Sequence, residues 1–266
     1  MKLCNVTCIR WNPKYSDLFA VALGSYQFGK KPTTTGICLF SIKNPSYPET
    51  IWPLTENVLC LDFSPTNPAL LAAGLANGNV MVIDIRLADK QPIYMSSLKT
   101  KKHSDVVWEV RWSNNVAKPS FTSISADGKV LEWTLAKDRL ECEEIFRLKY
   151  VDRKSKGADH EDGSLNSLAT GLCFDFSPFD KFLFLVGTEE GAVHFCSSAY
   201  SAEYQSTFDG HQLAVYKVRF SPFNSDIFLS ASADWSVKVW RMNSKAAVMT
   251  FDLGQAIVDI GWSPFN

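Results

Sequence analysis

The sequence predicts an all-β protein in which one four-stranded antiparallel unit recurs along the chain. A segment of alternating apolar residues that ends in an aromatic residue occurs six times, with the aromatic residue at positions 11, 63, 112, 176, 220 and 262. Tight turns follow these segments at a nearly constant distance, and no helical periodicity separates the repeats. Self-similarity at a period of about 40 to 50 residues is typical of repeat architectures, and a single β-sandwich would not show it.

Each unit begins with the strand that carries the aromatic residue. In Val215-Tyr216-Lys217-Val218-Arg219-Phe220, apolar residues alternate with polar ones, which predicts a half-buried β-strand. A polar turn follows, usually with proline. The six first strands with their turns are residues 6–13, 58–65, 107–112, 171–178, 215–222 and 257–264.

A second strand of small and apolar residues and then a tight turn come next. Asn-Gly and Asp-Gly favour hairpin turns because both central residues reach positive φ at low cost. The second strands are exemplified by residues 70–74, 182–187 and 227–232. The turns are Asn77-Gly78, Asp127-Gly128, Glu190-Gly191 and Asp234-Trp235.

The third and fourth strands complete the unit. Third strands are predicted at 129–133 and 237–240, and in units two to five they end 20 or 21 residues after the aromatic residue. In the first unit that distance is 29 residues, which predicts a longer loop near residues 26–35. More polar fourth strands are predicted at 50–54, 143–148 and 247–251.

Four antiparallel strands at this period predict a β-propeller of the WD-repeat type, because a small sheet buries both faces only when neighbouring blades stack on it. We expect one domain over residues 1–266, with five complete blades, the first strand of a sixth and a ring cut short of seven blades. A flexible charged loop is expected at 150–167. The blade boundaries are approximately 5–55, 56–98, 103–149, 168–207 and 211–252, with a partial blade at 255–266.

Two units carry the same set of His, Ser, Asp and Trp residues at the same offsets. The residues are His103, Ser125, Asp127 and Trp133 in unit three, and His211, Ser232, Asp234 and Trp240 in unit five. A Ser–His–Asp triad would use these residue types, but one active site does not need two copies. WD repeats use the set as a buried hydrogen-bond network, so the prediction is structural and no catalytic residue is assigned.

Composition excludes several other classes. Lys and Arg number 27 against 28 Asp and Glu, so no basic excess exists to bind a nucleic acid. No apolar run is long enough to cross a membrane, and no signal peptide is present. Seven widely spaced cysteines predict reduced thiols in the cytoplasm. No metal, cofactor or small-molecule motif appears.

One turn residue is unusual. Trp235 stands where the other turns have glycine. A large aromatic residue at a turn either packs against the next blade or anchors a partner, and the sequence leaves both alternatives open.

Several stretches resemble the WD-repeat domain of axonemal dynein intermediate chains, over nearly the whole sequence. They are residues 17–26, 41–49, 102–108, 185–191 and 230–235, with Ser-Ile-Lys-Asn-Pro (41–45) and Gly-Thr-Glu-Glu-Gly (187–191) as the more specific motifs. Residues 124–128, 146–149 and 210–218 look closest to the intermediate chain of the two-headed inner-arm dynein, with outer-arm chains second.

The resemblance implies a non-catalytic scaffold of the cytoskeleton, in the axoneme of the cilium or flagellum. Its implied partners are the dynein heavy chain and other dynein intermediate and light chains. The alternatives from the residues are an unrelated WD-repeat adaptor that recruits peptides and, more remotely, a propeller enzyme.

Overall fold

The computed structural model describes residues 5–26, 35–87, 89–97, 102–114, 118–137, 139–151, 168–200 and 203–265. Within these ranges every regular element is a β-strand, and the strands form five four-stranded antiparallel sheets. The all-β class and the four-stranded repeat are thereby confirmed. The remaining residues include most of the predicted charged loop and of the long loop in the first unit, and both predictions lie outside the described residues.

The strands run in chain order through each sheet. The first sheet contains β1 (Asn5–Trp11), β2 (Leu18–Gly24), β3 (Thr35–Ser41) and β4 (Thr50–Leu54). The second contains β5 (Val58–Phe63), β6 (Leu70–Leu75), β7 (Val80–Asp84) and β8 (Tyr94–Met95). The third contains β9 (Val107–Trp112), β10 (Ser120–Ser125), β11 (Lys129–Leu135) and β12 (Leu140–Arg147). The fourth contains β13 (Gly171–Phe176), β14 (Leu183–Thr188), β15 (Ala192–Ser197) and β16 (Ser206–Asp209). The fifth contains β17 (Val215–Phe220), β18 (Ile227–Ser232), β19 (Ser236–Arg241) and β20 (Met249–Asp252).

Most strand boundaries agree with the sequence pattern to within one or two residues. β12 is an exception, since it begins at Leu140 rather than at residue 143. Leu140 is almost fully buried in a core cluster with Trp133, which extends the strand beyond its polar part. The strand therefore starts three residues earlier than its polar sequence predicts.

Each sheet contains one irregularity of the same kind. The register between the first two strands shifts near the start of the first strand, for example between Val58 and Cys60 and between Val215 and Lys217. The same shift occurs in the other three sheets. A β-bulge of this type leaves one residue unpaired and increases the local twist. The alternation of apolar residues did not predict it.

The predicted first strand of a sixth blade is not formed. Residues 255–265 form no strand, and none of the described strands pairs with them. Its Ile257 N–H donates to Ser232 O at 3.3 Å, and the Trp262 indole N–H donates to Arg219 O at 3.3 Å. The prediction of a sixth first strand over 257–262 is therefore wrong for secondary structure, although the segment lies along the fifth sheet.

The chain also divides into two compact parts, called unit 1 and unit 2 from here on, which are larger than the four-stranded repeats. Unit 1 comprises Met1–Ser125 and Leu131–Glu144, and unit 2 comprises Ala126–Val130 and Ile145–Asn266. Within unit 1, a core of Trp52, Leu61 and Leu71 joins the first two sheets. Within unit 2, Phe208, Phe228 and Trp240 form the corresponding core. The single-domain interpretation and its blade boundaries stay predictions.

Glycines permit close packing between neighbouring sheets inside each unit. A Cβ atom on Gly74 would come within 2.6 Å of the Val107 side chain, and one on Gly187 within 2.8 Å of the Val215 side chain. Both glycines lie on second strands and face the first strand of the following sheet. At these two contacts, the close approach of the next sheet thus depends on the absence of a side chain on the glycine.

Candidate interaction surface and buried polar networks

A buried chain of hydrogen bonds crosses the fifth sheet. His211 is 1% exposed, and its Nδ1 atom lies 3.0 Å from Asp234 Oδ2. Its Nε2 atom lies 2.6 Å from Ser230 Oγ, and the Trp240 indole N–H donates to the same oxygen at 2.7 Å. The carboxylate therefore orients the imidazole, and one hydroxyl joins the imidazole to the indole.

Asp234 also organises the turn that precedes β19. Its carboxylate accepts the Gln212 N–H at 3.1 Å, the Ser236 N–H at 3.1 Å and the Ser236 hydroxyl at 2.6 Å. Burial opposes ionisation, but the hydrogen bonds from Ser236, Gln212 and His211 outweigh it and hold the pKa of Asp234 well below its usual range. The turn therefore contains a persistent carboxylate.

A related network lies in unit 1. His103 is fully buried, and its Nε2 atom lies 2.7 Å from Ser123 Oγ. The Trp133 indole N–H donates to Ser123 Oγ at 2.8 Å. In unit 2, Asp127 accepts the Lys129 N–H at 3.1 Å and so closes its own turn.

The serines that join histidine to tryptophan are not the predicted ones. Ser123 and Ser230 occupy this position, two residues before Ser125 and Ser232 on the same strand face. Ser232 Oγ donates instead to Leu213 O at 3.0 Å, and Ser125 Oγ donates to Asp105 O at 2.9 Å. The assignment of Ser125 and Ser232 to the link was wrong because the cross-strand register selects the earlier serine.

The register explains this choice in the fifth sheet. Phe228 pairs with Trp240 and Ser230 pairs with Lys238, so Ser230 is the diagonal neighbour of the indole. Ser232 lies one step further toward the turn. The sequence did contain a usable signal, because the register can be counted outward from the Asp234-Trp235 turn.

The linking serines offer no nucleophile to a substrate. Ser123 and Ser230 are both fully buried, and each hydroxyl already has a histidine and an indole as partners. A general base activates a serine for catalysis only where a reacting carbonyl can approach it. Both arrangements are therefore closed hydrogen-bond networks.

Sequence reasoning missed a set of charges on the first strands of unit 1. Arg10 lies 3.9 Å from both Asp62 and Glu109, and Arg111 lies 3.3 Å from Glu109. Asp62 Oδ2 accepts the Trp112 N–H at 2.8 Å. Burial raises the pKa of Asp62, and the two arginines and this hydrogen bond only partly offset the effect.

The same arrangement of an aspartate, a backbone N–H and an arginine occurs in unit 2. Asp175 Oδ2 accepts the Phe220 N–H at 2.9 Å, and Arg219 lies 3.8 Å from Asp175. In both units an aspartate just before one aromatic residue binds the backbone of the aromatic residue in the next sheet. The signal was present in the sequence, since the residue before each aromatic alternates in charge at positions 10, 62, 111, 175 and 219.

Trp235 is exposed. Its side chain and backbone together retain 53% of their accessible surface, and its φ is 70°. The alternative in which the indole packs against a neighbouring blade is therefore not supported by its burial. Leu213 and Leu253, which flank the same turn, are 53% and 62% exposed.

A small polar cavity opens at the corresponding end of the fourth sheet. Tyr150, Thr188, Glu190, His194 and Asp209 are among the residues that line it. Glu190 Oε1 accepts the Thr170 N–H at 3.2 Å, whereas Oε2 is buried and has no hydrogen-bond partner. A buried carboxylate oxygen without a hydrogen-bond partner favours the binding of a hydrogen-bond donor or a cation nearby.

Metal clusters, membrane-spanning helices and disulfides are absent from the described residues. No group of three or more His, Cys, Asp or Glu residues there is arranged to hold a metal ion. No described helix has the length and apolar character needed to span a bilayer. The six cysteines in the described ranges form no disulfide with one another.

Comparison with known protein families agrees with the architecture. Residues 202–241 match the family "WD domain, G-beta repeat", and residues 1–117 match "Dynein axonemal intermediate chain 3 WD40 domain". The chain is thus a WD-repeat β-propeller protein, as the five four-stranded sheets also indicate.

The similar curated proteins are dynein subunits. Identity is 44% to Dynein intermediate chain 2, ciliary, of Heliocidaris crassispina, over 98% of this chain and 37% of the relative. It is 42% to the 78 kDa intermediate chain of the flagellar outer arm dynein of Chlamydomonas reinhardtii, over 97% of this chain and 38% of the relative. Dynein axonemal intermediate chain 1 of Bos taurus is 39% identical over 93% of this chain and 35% of its own length.

The chain belongs to the axonemal dynein intermediate chain family and represents its WD-repeat region. It spans little more than a third of the length of these relatives.

Proposed function

We propose that this chain is the propeller region of an intermediate chain in an axonemal dynein complex. It acts as a non-catalytic scaffold that binds a dynein heavy chain and supports movement of the cilium or flagellum. The observation that carries the proposal is 44% identity to a ciliary dynein intermediate chain along 98% of this chain. The proposed location is the cytoplasm and the axoneme.

The buried networks support the scaffold role over an enzymatic one. The histidines and linking serines that could form a triad already hydrogen-bond one another and a tryptophan inside the sheets. Polar groups satisfied in this way stabilise one arrangement of the blades. A rigid arrangement of blades is suited to hold loops in place for a protein partner.

The test is recovery of the heavy chain from axonemes. We would tag the full-length protein in ciliated cells, extract the dyneins with salt and purify the tagged complex. The expected result is a heavy chain in stoichiometric amount, together with other intermediate and light chains. Recovery of the tagged protein from axonemes without any heavy chain would refute the proposal.

Two variants make this test specific. Phe228 is fully buried in the core of the fifth sheet, and Phe228→Asp is expected to unfold that sheet and abolish recovery of the heavy chain. Phe179 is 55% exposed, and Phe179→Ala is the matched control that should recover it normally. Localisation in strains that lack inner or outer arms would then identify the arm, which stays a prediction.

A further inference from the structure

We propose that one end of the fourth and fifth sheets docks a basic segment of the dynein heavy chain, with Trp235 as the apolar anchor. This end, called the acidic turn end, consists of the turns 188–192 and 232–236, residues 208–214 and residues 251–256. The proposal rests on the proposed function and adds the surface and the chemistry of the partner segment.

These stretches lie at one end of neighbouring sheets in unit 2. Ala192 pairs with Asp209 at the end of β15 and β16, and Ser236 pairs with Asp252 at the end of β19 and β20. The starts of β13 and β17 lie side by side, because Cys173 Sγ lies 3.4 Å from Val215 O. The turns of the two sheets therefore face the same direction.

Trp235 occupies a backbone conformation that favours glycine. Its φ of 70° is matched by glycines in three equivalent turns, Gly78 at 81°, Gly128 at 73° and Gly191 at 86°. A bulky side chain is costly at such a φ, and residues under this strain cluster at functional sites. The fold gains little from the indole in return, since Trp235 stays 53% exposed.

Two exposed leucines extend the apolar surface around the indole. The Leu253 N–H donates to Trp235 O at 3.0 Å, so the two residues are neighbours. Leu213 O accepts the Ser232 hydroxyl at 3.0 Å on the other flank of the turn. Exposed tryptophan beside aliphatic residues is a typical hot spot of protein interfaces.

The charges around this apolar surface have one sign. The four stretches contain five carboxylates and no lysine or arginine. The acidic residues are Glu189, Glu190, Asp209, Asp234 and Asp252. A surface of this kind is complementary to lysine and arginine, and an arginine can also stack on the indole face.

The cavity in the fourth sheet gives a second, independent indication of a cationic guest. Glu190 Oε2 is buried and lacks a hydrogen-bond partner, and Asp209 and His194 line the same cavity. The cavity has room for about one water molecule, so a lysine ammonium group would dock at its mouth and offset the charge of the carboxylate from there. An acidic or purely apolar segment would leave this oxygen unsatisfied.

Photo-crosslinking in the assembled complex tests the proposal. A photoreactive phenylalanine analogue would replace Trp235 in the full-length tagged protein, and in a second strain it would replace Phe179. Phe179 is 55% exposed and lies in the turn at the opposite end of the fourth sheet, so it is the matched control. Crosslinked peptides would be identified by mass spectrometry of the purified dynein.

The expected product at position 235 is a heavy-chain peptide with clustered lysine or arginine beside apolar residues, absent at position 179. The proposal is overturned if the heavy chain co-purifies without this crosslink, or if the crosslinked peptide is acidic. It is also overturned if the analogue reacts with this chain's own basic stretch, Arg153, Lys154 and Lys156. Loss of the heavy chain from both purifications would instead refute the proposed function.

Replacement of the anchor by glycine separates binding from folding. Trp235→Gly restores the residue used in the equivalent turns, so the melting temperature should be unchanged or higher. Affinity for the heavy chain should fall by about tenfold or more, whereas Phe179→Ala should leave it unchanged. Glu190→Gln with Asp252→Asn should weaken binding at low salt and reduce its salt dependence. Unchanged affinity in Trp235→Gly would refute the anchor role.

Discussion

Removal of the Ser230 hydroxyl should destabilise the fifth sheet strongly. In Ser230→Ala, the His211 Nε2 atom and the Trp240 indole N–H both lose their partner at 2.6 and 2.7 Å. His211 and Trp240 are each 1% exposed, so water cannot replace the hydroxyl without a rearrangement. Each unsatisfied buried group costs about 1–3 kcal/mol, so the two together cost about 2–6 kcal/mol.

Ser232→Ala is the matched control, because it removes the same atom from the same strand. Ser232 is also fully buried, but its Oγ atom bonds two backbone groups, Leu213 O and the Asp234 N–H, and both of these residues are partly or largely exposed. We expect a cost of about 1 kcal/mol there.

Urea unfolding of the purified protein and hydrogen exchange of the β18 and β19 amides would measure both variants. Exchange in these strands should accelerate much more in Ser230→Ala than in Ser232→Ala. Equal effects, or a larger effect of Ser232→Ala, would refute the assignment of the linking serine.

Three further predictions concern packing, pH and buried charge. Gly187→Ala places a Cβ atom 2.6 Å from a cysteine sulfur and should cost about 1–3 kcal/mol in urea unfolding, whereas Gly261→Ala has open space and should be neutral. Because the pKa of Asp234 lies below its ordinary value of 3.8 in the folded chain, its carboxylate stabilises the fold fully above about pH 4 and progressively less as the pH falls. A pH series should therefore show a smaller loss of stability on acidification in Asp234→Asn, and an unchanged slope would contradict this. Asp62→Ala removes a carboxylate that accepts a backbone N–H beside two arginines and should cost about 2 kcal/mol, whereas Asp17→Ala removes only the partner of the exposed Lys43 and should change the stability much less.

Local patterns were sufficient to predict the strands. β9 at 107–112 and β18 at 227–232 begin and end at the predicted residues. Alternation of apolar side chains depends only on which face of a strand is buried, and turn residues depend on local φ. The five sheets and their meander order follow from these two local rules.

Local patterns could not predict the bulges, nor whether residues 257–262 form the first strand of a sixth sheet. Residues 257–262 have the same apolar alternation as the other first strands, yet they form no strand, because a strand also needs a neighbouring strand to pair with. The bulge near the start of each first strand depends on how two strands match in register. Alternation along one strand carries no information about that match.

The candidate site divides in the same way. The sequence identified His211, Asp234 and Trp240 as members of one network and singled out Trp235 at its turn. Only the structure decided that Ser230 rather than Ser232 joins the histidine to the indole, and that Trp235 is exposed at a φ of 70°.

By itself, the sequence determined the repeated four-stranded unit, the family and the residue types of the polar networks. The tertiary structure decided which hydroxyl each buried donor meets, which charges face one another and which aromatic residue stays in water. The physical reason is that periodicity and turn chemistry act between near neighbours in the chain. Hydrogen-bond partners and burial are instead set by the register and stacking of strands that lie far apart in sequence.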